Sequence, residues 1–216
     1  MTPIDAAYVR RLLSERVIQS PCLEMGVGYE GETNRGIVQA AGIAYVGTDM
    51  TAGPNVDVVA DFERAESEVR AMFGDRGPFG SVLLLNVLEH TFDPLRVLDN
   101  AMALLRPGGT CIVLTPTVWP LHTFPYDTWR INPNLYEQYC QRRGHELIDG
   151  SLEYVGRGKV SEHRAADGSY RLPFPYSGWW GWCGRVIHKV FNTHGRMMFH
   201  PSHVATAAVI RRKATA

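Results

Sequence analysis

Continuous apolar runs alternate with helical patterns along the first two-thirds of the chain. Strand-like runs fall at Pro21–Met25, Ala44–Asp49, Val56–Asp61, Ser81–Val87 and Thr110–Thr115. Two of them contain Val82-Leu83-Leu84-Leu85 and Cys111-Ile112-Val113-Leu114, with no polar position, as central parallel strands buried on both faces require. Ahead of the first strand, Tyr8, Val9, Leu12, Leu13 and Val17 recur at helical spacing. Asp93-Pro94 supplies an N-cap and a proline at the first helical position. Leu95, Leu98, Met102 and Leu105 follow on one face, and Arg106-Pro107-Gly108-Gly109 stops that helix. Another helix is expected from Asn132-Pro133 to Gly144, burying Leu135, Tyr136, Tyr139 and Cys140. The later runs His145–Val155 and His203–Arg211 read as an antiparallel pair at one edge. Alternating strands and helices predict an α/β fold with a mainly parallel sheet.

In such sheets ligands bind beyond the C-terminal ends of the strands. The unusual polar residues fall there: Glu24 at the end of the first run, Asp49 the second, Asp61 the third, and Asn86 to His90 the fourth. The loop after the first run carries Gly26, Gly28 and Gly31 in G-x-G-x-x-G spacing, the dinucleotide fingerprint. That spacing favours a nicotinamide-dependent oxidoreductase. Glu24 opposes it, because a pyrophosphate seeks backbone N–H groups and is repelled by carboxylates. Glu24 and Asp61 instead match a ligand with an ammonium and a sulfonium, namely S-adenosylmethionine. Asp49 suits a ribose diol in either cofactor class.

The ordered motifs CLEMGVGYEG, YVGTDM, VDVVADFE, LLLNVLEHTFDP and LLRPGGTCIVLTP resemble the class I S-adenosylmethionine-dependent methyltransferases over roughly residues 20–150. The resemblance implies a Rossmann-like, doubly wound, seven-stranded sheet with an antiparallel edge strand and a C-terminal lid-like insertion. It places Glu24, Gly26 and Gly28 along the methionine half of the cofactor, with Gly31 opening the next helix. It places Asp49 on the ribose, Met50 beside the adenine, Asp61 and the Phe62 backbone on the adenine edge, and Asn86 and Val87 under the methionine moiety. The family more often has G-x-G-x-G, so the third glycine here is displaced by one position. Taken singly, Glu24 also reads as an ion-pair partner and Asp61 as a helix cap.

A methyl transfer to a hydroxyl needs a base, since the acceptor must lose a proton. His90 is one candidate, although the Glu89-His90 pair recurs in the family across different acceptors. His122 is the preferred base, with Asp127 as its orienting carboxylate. Asp127 paired with Arg130, only shaping the loop, is the competing reading. Glu89, His90, His122 and Asp127 lack tight ligand spacing, and no metal is expected.

Composition narrows the partners. The chain has 216 residues, with 22 basic and 22 acidic side chains, so nucleic-acid binding has no global electrostatic support. No run approaches the ~20 apolar residues of a membrane span. Charged residues through Asp5, Arg10, Arg11, Glu15 and Arg16 argue against a signal peptide, and Cys22 and Cys111 read as buried free thiols. A cytoplasmic protein is expected, with homo-oligomerisation left open. The chain reads as one domain: an N-terminal helix in 1–20, a cofactor-binding core in 21–155, an insertion in 156–202 and a final strand in 203–212. The insertion holds Arg157, Lys159, Arg164, Arg171, Arg185, Lys189 and Arg196 against Glu162 and Asp167, together with Trp179, Trp180 and Trp182. It reads as a lid over a small-molecule acceptor that is anionic, sugar-like or aromatic. A non-catalytic S-adenosylmethionine-binding or interaction module is the alternative from another class.

Overall fold

Alternating side chains of the central strands feed two separate apolar layers, and this sets the architecture. The computed structural model describes residues 3–28, 33–119, 121–122, 126–156, 159–162, 183, 186 and 204–213. In chain order the helices are α1 (Pro3–Ser14), α2 (Arg35–Ala40), α3 (Glu66–Phe73), α4 (Pro94–Leu104) and α5 (Pro133–Arg143). The strands are β1 (Cys22–Met25), β2 (Tyr45–Asp49), β3 (Val58–Val59), β4 (Phe79–Leu85), β5 (Leu105–Val118), β6 (Glu146–Leu147), β7 (Glu153–Gly156), β8 (Lys159–Glu162) and β9 (Val204–Arg211).

On β4 and β5, Val82, Leu84, Cys111 and Val113 face a layer built with Val69, Phe73, Leu98, Met102, Tyr136 and Tyr139 of α3, α4 and α5. Leu83, Ile112 and Leu114 face the opposite layer, with Tyr8, Val9 and Leu12 of α1 and Val38 of α2. A period of two within each strand thus produces helices on both faces.

The sheet runs β3-β2-β1-β4-β5-β9-β7-β8, with β6 also paired to β9. Strands β1 to β5 are mutually parallel, and β9 lies antiparallel to β5. The expected α/β class, parallel core and antiparallel edge are present. Among the described residues nine strands stand where seven were expected, because β6 and β7 both pair with β9 and β8 extends the edge by a hairpin on β7. Strand order reverses at β1, with β2 and β3 on one side and β4 and β5 on the other. At such a reversal doubly wound sheets form their ligand crevice, a position that falls here at the C-terminal ends of β1 and β4.

Three expectations shift. The third strand shrinks from Val56–Asp61 to Val58–Val59, so Asp61 sits in the turn beyond it. Arg106 to Gly109 belong to β5 rather than to a loop, with Gly108 N–H donating to Arg212 O and Arg212 N–H to Gly109 O, both at 2.8 Å. The buried face of α4 is Val97, Leu98, Ala101, Met102 and Leu104, while Leu95 is 39% exposed. Helix α5 ends on a left-handed Gly144 and buries Tyr136, Tyr139 and Cys140 as expected, while Leu135 is only partly buried. Cys22 and Cys111 are buried free thiols. No helix among the described residues is long and apolar enough to cross a membrane. Apart from Gly156, β8, Cys183 and Val186, the expected lid over 156–202 lies outside the described residues, as does Gly31.

Candidate active site

Backbone hydrogen bonding carries the end of β1 into the crevice. Gly26 N–H donates to Thr48 O at 2.9 Å while Gly26 takes a φ of +78°, which favours glycine. A β-carbon there would stand 2.9 Å from Val87 Cγ2, so the loop after β1 and the turn after β4 touch at the point where strand order reverses. Gly28 is tighter still. Its N–H donates to Asp49 Oδ2 at 2.9 Å, and a β-carbon would lie 2.5 Å from Asp49 Cγ. Asp49 Oδ1 accepts from Thr51 N and Oγ1, which fixes the carboxylate at the tip of β2. Met50 beside it is 64% exposed.

Glu24 is the penultimate residue of β1, and its carboxylate turns to the α1–α2 side of the sheet with Cys22. It is buried, accepting from Tyr45 OH at 2.5 Å, Asn34 Nδ2 at 2.6 Å and Asn34 N at 3.2 Å. Burial pushes Glu24 above the ordinary carboxyl range, and the Tyr45 and Asn34 hydrogen bonds pull it part of the way back. Both oxygens are thus engaged by protein donors that pin the far end of the glycine loop. The sequence reading missed Tyr45 and Asn34, whose contribution depends on the β1–β2 pairing.

Asp61 is largely occupied locally, accepting from Glu63 N at 2.9 Å and facing Arg64 at 3.6 Å. Phe62 is buried in the core edge-on to Phe73, and its carbonyl accepts from Asn100 Nδ2 at 2.7 Å. Asn86 follows β4 with a φ of +54°, its N–H bonded to Leu114 O and its Nδ2 donating to the buried Asp5 of α1 at 3.0 Å. Asp5 is a second partner that the sequence did not reveal.

The rim beyond β4 forms where two distant segments dock. Tyr126 O accepts from His90 Nδ1 at 2.5 Å, and the N–H groups of Thr128 and Trp129 donate to Glu89 O at 2.7 and 3.3 Å. Trp129 Nε1 donates to Thr91 O at 3.0 Å. These bonds hold residues 126–130 against the short 3-10 turn at Leu88–His90. Asp127 makes both of the contacts the sequence offered as alternatives. Arg130 grips it with two guanidinium nitrogens, while His122 N and Nδ1 approach Oδ2 at 2.9 and 3.0 Å. Arg130, reinforced by His122, holds the Asp127 carboxyl far below its usual range. An ionised Asp127 accepts the His122 Nδ1 proton and so directs the Nε2 lone pair elsewhere.

His90 and His122 meet edge-to-face, ring centroids 5.0 Å apart. Glu89 lies beneath them with no exposed surface, and burial, with Asp127 nearby, pushes its carboxyl up to about 8. The absence of metal-ligand spacing in the sequence is no guide here. The fold brings one ligand atom each from Glu89, His90 and His122 within 4.8 Å of one another.

Comparison with known proteins agrees with this geometry. A methyltransferase domain family model matches residues 6–156. An uncharacterized methyltransferase from Mycobacterium sp. (strain KMS) is 31% identical over 159 residues, 68% of this chain. A relative from Mycolicibacterium gilvum is 32% identical over 156 residues, 66% of this chain. The chain spans 62% and 60% of the lengths of these two relatives. An S-adenosylmethionine-dependent methyltransferase from Archaeoglobus fulgidus shares the fold at a TM-score of 0.55 and 16% identity, over 95% of this chain and 93% of that one. A crevice at the β1–β4 reversal, a glycine loop closed on the Asp49 carboxylate and a family match over most of the sheet lead to one assignment: this chain belongs to the class I S-adenosylmethionine-dependent methyltransferase family.

Proposed function

We propose that this chain transfers the methyl group of S-adenosylmethionine to a small-molecule acceptor, with oxygen as the preferred acceptor atom. The observation that carries the reading is the seat of Asp49, fixed at the tip of β2 against a glycine loop with no room for a side chain. An oriented carboxylate there suits the two hydroxyls of a ribose. Asp49, Gly26, Gly28 and Met50 would hold the nucleoside and methionine portions, with Asn86 and Val87 below. Glu24 supports this seat by pinning the loop. Asp61 and Phe62 would border the adenine.

The cofactor supplies an activated methyl group on a sulfonium. What remains for the protein is alignment, exclusion of water and, for a hydroxyl acceptor, removal of a proton. His122 is the proposed base and Asp127 its orienting residue, itself held by Arg130. His90, hydrogen-bonded to Tyr126 O, is proposed to position the rim. Phe92, Leu121, Tyr126 and Trp129 are exposed at 83, 79, 73 and 42%, and supply apolar surface for an acceptor with an aromatic or other apolar portion. The basic excess of residues 156–202 favours an anionic group on that acceptor.

Calorimetry with S-adenosylhomocysteine and with NAD tests the cofactor. Binding of the first alone is expected; NAD binding alone would return the glycine loop to an oxidoreductase. Release of S-adenosylhomocysteine with a panel of hydroxyl, amine and carbon acceptors tests the transfer. A chain that binds cofactor and turns over none of the panel would be a binding module.

A further inference from the structure

Glu89 lies at the floor of the rim with no exposed surface, and neither of its carboxylate oxygens has a hydrogen-bond partner. A buried carboxylate in that state is unfavourable unless a positive charge answers it. Burial favours the protonated form, but its O–H would then be a buried donor with no acceptor, so a proton answers the charge without satisfying the group. The charge of Arg130 acts on Glu89 from a distance, while two of its guanidinium nitrogens are directed at Asp127. What faces Glu89 is imidazole: His90 Nε2 stands 3.7 Å from Glu89 Oε1, beyond hydrogen-bonding distance, and His122 joins the same cluster.

Both rings are anchored through Nδ1, His90 by the Tyr126 carbonyl and His122 by Asp127 Oδ2. A carbonyl only accepts, and an ionised carboxylate does the same, so this network assigns the proton to Nδ1 in each ring. Each Nε2 is then left as a lone-pair donor. Histidines that bind metals are held in this way by an outer carboxylate or carbonyl. Two imidazoles and one carboxylate select a transition metal over Mg2+ or Ca2+, which take oxygen sets.

We propose that Glu89, His90 and His122 form a binding site for a divalent transition-metal ion, with further positions open to water or to the acceptor. Ligands about 2.0–2.2 Å from an ion stand roughly 3–3.5 Å apart, so the present cluster closes by about an ångström on binding. The closure falls to the His122 side chain, which is 34% exposed, because Glu89 is fully buried beneath it. One consequence rests on the methyl-transfer reading above. An acceptor oxygen coordinated to the ion would be held as its anion, its proton released to water, and His122 would serve as a ligand rather than as the base.

The test uses the full chain, stripped with a chelator and titrated with Zn2+ by calorimetry, with Co2+ absorption as a second reporter of imidazole ligation. S-adenosylhomocysteine affinity of the stripped protein is measured in parallel. One equivalent of Zn2+ is expected to bind, weakened at least about tenfold in Glu89→Gln and in His122→Ala, with near-ultraviolet circular dichroism reporting the fold of each. His122→Ala keeps the buried carboxylate and so guards against a folding effect of the first variant. Absence of Zn2+ binding overturns the site, as does binding unchanged in both variants. Either result leaves the cofactor reading standing if S-adenosylhomocysteine still binds, whereas loss of that binding alone would sink the methyl-transfer reading and not the metal site.

Discussion

The Asp49 carboxylate accepts a hydrogen bond from Gly28 N–H at 2.9 Å, and its Cγ stands 2.5 Å from where a β-carbon on Gly28 would be. No side chain fits between them. Gly28→Ala must therefore displace Asp49 from the tip of β2, where Thr51 also holds it. S-adenosylhomocysteine affinity is expected to fall at least about tenfold, roughly 1.4 kcal/mol. Gly36→Ala in α2 meets nothing within 4 Å and should leave affinity unchanged, with stability equal or up to about 1 kcal/mol higher. Calorimetry on both variants checks the contrast.

Glu24 carries a pH signature. Its folded pKa is raised above the ordinary 4.5 by burial, so between those two values the folded chain holds a proton that the unfolded chain has lost. Its contribution to stability is then greatest below about 4.5 and declines as pH rises through the folded value. Glu24→Gln removes the titration. The stability of wild type relative to Glu24→Gln should fall between pH 4 and pH 7, read from urea denaturation at each pH. A difference independent of pH would mean that Glu24 does not titrate differently in the two states.

Asp127→Asn retains shape but loses the charge that Arg130 and His122 share. Substrate turnover is expected to drop at least about tenfold, with S-adenosylhomocysteine affinity within twofold of wild type, because orientation of His122, as base or as ligand, contributes to the chemical step. Steady-state release of S-adenosylhomocysteine, measured with an acceptor that supports turnover, separates kcat from KM. A change in KM alone would assign Asp127 to shaping the acceptor loop.

Away from the site, Asp93 caps α4 by accepting from Arg96 N at 3.0 Å. Asp93→Ala should cost about 1 kcal/mol and lower Tm by about 2–4 °C in thermal unfolding, with cofactor affinity unaffected. A change in affinity would show that α4 is coupled to the crevice.

The sequence by itself determined the alternation of strands and helices, the buried central strands, the capped start of α4, the proline start of α5, and the strand tips at which Asp49 and Asn86 stand. These are local properties, set by side-chain period and by capping residues adjacent in the chain. Strand limits were less legible. Arg106 to Gly109 look like a loop because glycine and proline break local patterns, yet pairing with the Arg212 backbone draws this stretch into β5. Only the tertiary structure decided that Tyr45 and Asn34 would occupy the Glu24 carboxylate, that Asp127 would hold His122 and Arg130 together, and that Glu89 would be left buried beneath two histidines. Each of those relationships joins elements through sheet register or loop docking. Their distances depend on how strands pair and layers pack, which no spacing along the chain encodes.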